Sequence, residues 1–157
     1  NIKLFTDNRI FSEAEMRSRH EIMLENYCKV VNIEALTMVD MARREIIPAV
    51  SRYVKSLAET AVLMKEAVAA ADSSVECELV AKLSALNSSA LAKIKKLEAA
   101  VCGARTISGN AALAMYCKDT VIPAMNELRI VCDECETLTA EEFWPLPTYG
   151  DMLFGVR

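Results

Sequence analysis

Glu45-Ile46-Ile47-Pro48-Ala49-Val50-Ser51-Arg52-Tyr53-Val54-Lys55-Ser56-Leu57-Ala58-Glu59-Thr60-Ala61-Val62-Leu63-Met64-Lys65-Glu66-Ala67 is the stretch that decides the fold. Within it Ile46, Val50, Tyr53, Leu57, Thr60, Met64 and Ala67 recur at alternating spacings of four and three. A repeat of 3.5 residues is the seam of long helices packed side by side at a shallow angle, and no period-two pattern of a strand competes with it. Pro48 stands inside the seam. It has no backbone donor and its ring meets the carbonyl one turn back, which predicts a kink near Arg44 to Pro48.

Upstream, Ser12-Glu13-Ala14-Glu15 has the form of a capping box, with Phe11 and Met16 at the two positions of a hydrophobic staple. Helical pattern then runs towards Ala71 without a glycine. A break near Asn32 makes four helices of the chain; continuity makes three. Downstream, Asp72-Ser73-Ser74 interrupts the pattern, and Ser73 with Glu76 forms a second capping box. The next helix turns Leu79, Leu83, Leu86, Ala90, Leu97 and Val101 inward, has a weak spot at Asn87-Ser88-Ser89, and meets Gly103 as a C′ cap. Arg105 to Asn110, with Gly109, reads as a loop. The last long helix covers Asn110 to Leu138, with Ala114, Cys117, Val121, Ala124, Leu128, Val131, Cys135 and Leu138 as its seam and Pro123 as its interruption. Thr139-Ala140-Glu141-Glu142 is a third capping box, with Leu138 and Phe143 as staple, opening one short turn that Pro145 ends. Thr120-Val121-Ile122-Pro123-Ala124 faintly echoes Glu45-Ile46-Ile47-Pro48-Ala49. The expected fold is all-α: an up-and-down antiparallel bundle of three to four long, Pro-kinked helices with an extended C-terminal tail. Residues 1–11 read as a lead-in from an upstream domain, 12–138 as the bundle, and 139–157 as a short helical turn and aromatic tail.

Composition sets the outer limits. Hydrophobic residues make up 53% and charged residues 25% of the 157, which excludes a disordered chain. Glycine and proline occur only four times each, which suits helix. No apolar run approaches the roughly 20 residues of a membrane span, and no basic-then-apolar opening marks a signal peptide. Asn1-Ile2-Lys3-Leu4-Phe5 reads as the middle of a longer protein. The net charge of −4 offers no phosphate-neutralising surface, so nucleic acid is not an expected partner, nor is a membrane. Lys93, Lys95 and Lys96 read as a solvated helix face. Six cysteines in a helical chain without secretory signals point to a reducing cytoplasm, with most of them small core residues.

The search for chemistry finds no glycine-rich phosphate loop, no His-Glu-x-x-His and no nucleophile elbow. Cys132-Asp133-Glu134-Cys135 has C-x-x-C spacing, but a zinc site needs four ligands and no second pair exists. Asp133, Glu134 and Glu136 raise rather than lower the thiol pKa values, and Cys135 belongs to the seam, so the pair reads as structural. His20, the single histidine, is either a phosphoacceptor on a helical bundle or a surface polar residue among Arg17, Arg19 and Glu21. Arg43, Arg44 and Arg52 could face a phosphate, although Asp40 and Glu45 favour surface pairing. Glu34 and Asp40 lie on an apolar stretch, as a buried polar contact or at a subunit interface. No catalytic, cofactor or metal residue is assigned.

The tail is the one segment that asks for a partner. Phe143, Trp144, Tyr149, Leu153 and Phe154 cluster there with Pro145 and Pro147 between them. Leaving such side chains in water costs on the order of 25 cal/mol per Å², so these seven residues are the expected docking surface, held extended by the two prolines.

Ordered blocks along the chain carry a family resemblance. Leu24-Glu25-Asn26-Tyr27, Asn32-Ile33-Glu34-Ala35-Leu36-Thr37-Met38-Val39-Asp40-Met41, Ile47-Pro48-Ala49-Val50, Val121-Ile122-Pro123-Ala124-Met125-Asn126-Glu127-Leu128-Arg129 and Trp144-Pro145-Leu146-Pro147-Thr148-Tyr149-Gly150-Asp151-Met152-Leu153-Phe154 resemble the C-terminal region of type III glutamine synthetases. Ser73 to Gly103 adds only helical character. The resemblance implies a parent enzyme that joins glutamate and ammonia with ATP and Mg or Mn, assembled as a large ring-shaped homo-oligomer. It places the ligands of ATP, metal and glutamate in an upstream catalytic domain, so none is carried over. The contrasting expectation is a stand-alone helical interaction or histidine phosphotransfer module, which calls for His20 exposed on its helix.

Overall fold

The structure, a computed structural model, describes residues 2–147 and 149–155, without the Tyr149 side chain. Among these residues every regular element is helical: α1 (Ile2–Asp7), α2 (Glu13–Met41), α3 (Ile47–Ala67), α4 (Ser74–Ala104), α5 (Asn110–Tyr116), α6 (Ile122–Leu138) and α7 (Tyr149–Phe154), with a 3-10 turn at Glu141–Phe143. A π turn at Ala42–Ile46 joins α2 to α3, and another at Cys117–Val121 joins α5 to α6. The chain therefore makes three long rods, unbroken at Asn32 and at Asn87-Ser88-Ser89. Among the described residues no helix is long and apolar enough to cross a membrane.

The rods run antiparallel. Arg43 grips Glu98 through two hydrogen bonds of 2.8 Å, while further along α3 the Ser51 hydroxyl accepts from the earlier residue Asn87 at 3.1 Å. Between the second and third rods, Lys93 pairs with Glu127 at 2.8 Å and Lys82 with Glu134 at 3.6 Å. In both pairs of rods the partners fall in reverse order. Leu83, Ile94, Leu97, Leu128, Val50 and Cys135 are completely buried between them.

The seam of α3 holds at Ile46 and Val50, which are buried, and at Tyr53, Leu57 and Met64, which are half-buried. Thr60 and Ala67 are exposed, and Ala61 is buried instead. A straight α-helix drifts about 20° per heptad from a 3.5-residue repeat, so the inward face moves by one residue over this length. In α4 the gap between Ala90 and Leu97 is filled by Ile94, and in the third rod Cys132 joins the seam beside Cys135.

The prolines act through the two π turns. The Ile47 amide donates to the carbonyl of Ala42, and that of Ile122 to Cys117, five residues back in each case. The wider turn ends two residues before Pro48 and again two residues before Pro123. A proline needs relief from the carbonyl one turn earlier, and a π turn supplies it by displacing the ladder. The faint sequence echo is thus a structural repeat.

One of the three capping boxes forms. The Glu15 amide donates to the Ser12 hydroxyl at 3.3 Å and the Ser12 amide to the Glu15 carboxylate at 2.8 Å. The Ser73 box does not: its hydroxyl is buried 4.0 Å from the Cys77 sulfur, and the Asp72 carboxylate takes the Ser74 amide at 3.0 Å. Nor does the Thr139 box, because that hydroxyl donates back to the Cys135 carbonyl at 2.7 Å, the same carbonyl that accepts from the Thr139 amide at 3.0 Å. Gly103 is not a C′ cap but lies inside α4, where a Cβ would run into the Tyr116 hydroxyl. Gly109, at φ 91°, makes the turn into α5.

α2 differs from its neighbours in having two apolar faces. Cys28, Val31, Ala35 and Val39 are buried against the bundle. On the outer side Ile22, Met23, Val30 and Ile33 are 52–71% exposed.

Candidate functional site

The aromatic tail divides into a seated half and an unseated half. After α6 ends, the Phe143 amide donates to Ala140 at 2.9 Å and the Trp144 amide to Glu141 at 3.1 Å, which closes the 3-10 turn. This turn lays the Phe143 ring 5.3 Å from the Tyr53 ring of α3, tilted by 43°. Trp144 and Leu146 are half-buried and pack on the bundle core, while Pro145 and Pro147 face solvent between and beyond them. Alternation of this kind is what an extended backbone produces, and Trp144 has that conformation, φ −74° and ψ 127°. Leu146 was absent from the expected docking set although it lies inward. The receptor of Phe143, Tyr53, is remote in sequence and legible only as part of the α3 seam.

From Tyr149 the chain is helical, which corrects the expectation of an extended tail to its end: Met152, Leu153 and Phe154 stand on α7 at 61%, 71% and 81% exposure. Tyr149 belongs to α7, with its side chain outside the described residues. Trp144 Nε1 is buried without an acceptor among the described residues.

The remaining candidates are placed as follows. Cys132 and Cys135 are buried in the third rod, and desolvation pushes both thiols up to about 11. A thiol held so far from ionisation is a poor nucleophile and a poor metal ligand at neutral pH. Arg43 is engaged by Glu98 and Arg44 by Asp40 at 3.3 Å, so these arginines form surface pairs; Arg52 is exposed. Lys93 and Lys96 close on Glu127 at 2.8 and 2.6 Å, and these bonds lower its pKa to about 2. Lys95 is exposed beside them. Glu34 and Asp40 are both exposed, which removes the buried polar contact within this chain. His20 is exposed on α2. Among the described residues no three His, Cys, Asp or Glu side chains are gathered where they could hold a metal ion.

The arrangement can therefore bind surfaces. Its exposed apolar side chains include the outer face of α2, Val62 and Leu63 of α3, and Met152, Leu153 and Phe154 of α7. Residues 1–65, which include α1, α2 and nearly all of α3, match the family described as glutamine synthetase C-terminal domain. The whole chain is 34% identical over 157 residues to a glutamine synthetase of Butyrivibrio fibrisolvens, covering 22% of that protein. It is 32% identical to the type-3 glutamine synthetase of Dictyostelium discoideum, over 98% of the chain and 22% of the relative. It is 31% identical to a glutamine synthetase of Bacteroides fragilis, over 93% of the chain and 21% of the relative. The chain thus spans about a fifth of the length of the curated relatives it matches.

Proposed function

Because the chain belongs to the family of glutamine synthetase C-terminal domains, we propose that it is the packing and assembly domain of a parent glutamate–ammonia ligase. The parent draws on ATP and a divalent Mg or Mn ion in an upstream catalytic domain, and this segment braces that domain or a neighbouring subunit in a homo-oligomer. A cytoplasmic setting suits its six free cysteines.

The observation that carries this reading is the second apolar face of α2. A cluster of apolar side chains left in water carries a cost that a covering surface removes. The bundle covers the side of Val31 and Ala35, and leaves Ile22, Met23, Val30 and Ile33 in water. That outer face lies within the segment matched by the family. The exposed α7 side chains supply a second contact.

The test is a Val30→Asp, Ile33→Asp double variant, made both in the parent and in the isolated domain. The domain should keep its helicity and unfolding midpoint. The parent should dissociate to smaller species on a sizing column and lose glutamine formation with them. A parent that stays fully assembled and active would sink the reading, as would ligation of glutamate and ammonia by the domain alone.

A further inference from the structure

Cys28 on α2 and Cys117 at the start of the second π turn come from different rods. Both are buried, at 6% and 3% exposure, yet both line a cavity of about 310 Å³ between α2, the end of α4 and α5. The Cys28 sulfur lies 4.0 Å from the Asn110 carbonyl, and Cys28 is the neighbouring side chain that, after burial, raises the Cys117 thiol. α2 and this π turn pack directly against each other. Leu113 and Ala104 make part of the cavity wall apolar, while Arg105 and Lys29, the latter paired with Glu25 at 2.6 Å, make the rest of it polar.

The other cysteines lack this arrangement. Cys132 and Cys135 are three apart on one helix, where Cβ atoms stand about 5–6 Å apart, beyond the distance of a bridged pair. Cys77 and Cys102 are exposed on α4, roughly 37 Å apart along its axis.

We propose that Cys28 and Cys117 are an oxidisable thiol pair that closes to a disulfide when a two-electron oxidant such as hydrogen peroxide enters the cavity. One sulfur, as thiolate, attacks a peroxide oxygen; the O–O bond breaks, leaving a sulfenic acid and one water. The second sulfur attacks the first, the S–O bond breaks, and the oxygen leaves with the released protons as a second water. The two sulfurs lose the two electrons that the peroxide gains. The product fastens the first rod to the third, and a dithiol reductant reverses it. Burial and the neighbouring Cys28 push the Cys117 thiol up, which keeps the pair slow and restricts closure to sustained oxidant.

The experiment uses protein carrying Cys77→Ser and Cys102→Ser, which removes the exposed thiols that link molecules together. After hydrogen peroxide, intact mass should fall by two hydrogens, and peptide mapping should join Cys28 to Cys117. The unfolding midpoint should rise and return on adding dithiothreitol. Cys117→Ser should abolish the loss of mass. If that variant fails to fold, alkylation of the unsubstituted protein decides: Cys28 and Cys117 should lose maleimide labelling together after oxidation. Retained labelling at both, oxygen added to either sulfur without a bond between them, or a bridge joining other cysteines overturns the proposal.

Discussion

α2 and α3 are two halves of one rod, and they treat their apolar residues in opposite ways. α3 turns most of its apolar residues to one inward face, which α4 covers, with Tyr53 also receiving Phe143 from the tail, and leaves Val62 and Leu63 exposed only near its end. α2 is apolar on two sides, and this chain covers one. Ile46, at the junction of the halves, is 6% exposed; Ile33, thirteen residues earlier, is 62% exposed. An isoleucine is a statement about folding in one half and about association in the other. Apolar content alone does not separate these meanings; the face on which it falls does.

The sharpest way to break the comparison is to make the same change in both halves. Ile46→Ala should cost about 2–5 kcal/mol, the range for emptying a buried aliphatic site. Ile33→Ala should stay within about 0.5 kcal/mol in the same chain. Urea titrations of the two variants measure both, and equal losses would mean that α2 and α3 do not differ. Leu57→Ala probes the graded end of α3, where the side chain is half-buried, and should fall between these at about 1–2 kcal/mol. A loss below a few tenths would remove Leu57 from the seam.

Ser12→Ala tests how α2 holds its exposed start. It removes the one capping box that forms and should cost about 1 kcal/mol, read as faster amide exchange at Glu15 and Met16 with α3 unaffected. The smallest effect concerns pH. Lys93 and Lys96 depress the Glu127 pKa to about 2, below its ordinary 4.5. The stabilisation is complete above the ordinary value and is lost as pH falls from about 4.5 towards 2. These groups are partly exposed, so solvent and salt screen the effect. Glu127→Gln should flatten the unfolding midpoint over this window and leave it unchanged at higher salt; a slope as steep as in the unsubstituted chain assigns the acid response elsewhere.

Helix existence and the ends of the third rod were legible because periodicity and breakers are local: the span from Asn110 to Leu138 stands as read. Capping was legible only at Ser12, where no tertiary neighbour competes. Ser73 and Thr139 carry the same local signal, but each hydroxyl meets another group, the Cys77 sulfur or the Cys135 carbonyl. The candidate site was legible as a cluster that avoids water, and not as a division within that cluster. Phe143 is seated because Tyr53 is there to receive it, whereas Leu153 and Phe154 stand mostly exposed among the described residues. A sequence pattern records what must be covered without recording by what.

The twin π turns have a mechanical consequence. Arg43 in the first pairs with Glu98 of α4, and Tyr116, next to the second, faces Gly103 of α4. Two rods are thus underwound beside the same stretch of the third. Wider turns hold their amides less firmly, so bending strain collects at this height instead of spreading along the rods. Any bending of the bundle is expected at this height. The outer face of α2 precedes the first π turn, and the tail seats on Tyr53 beyond it.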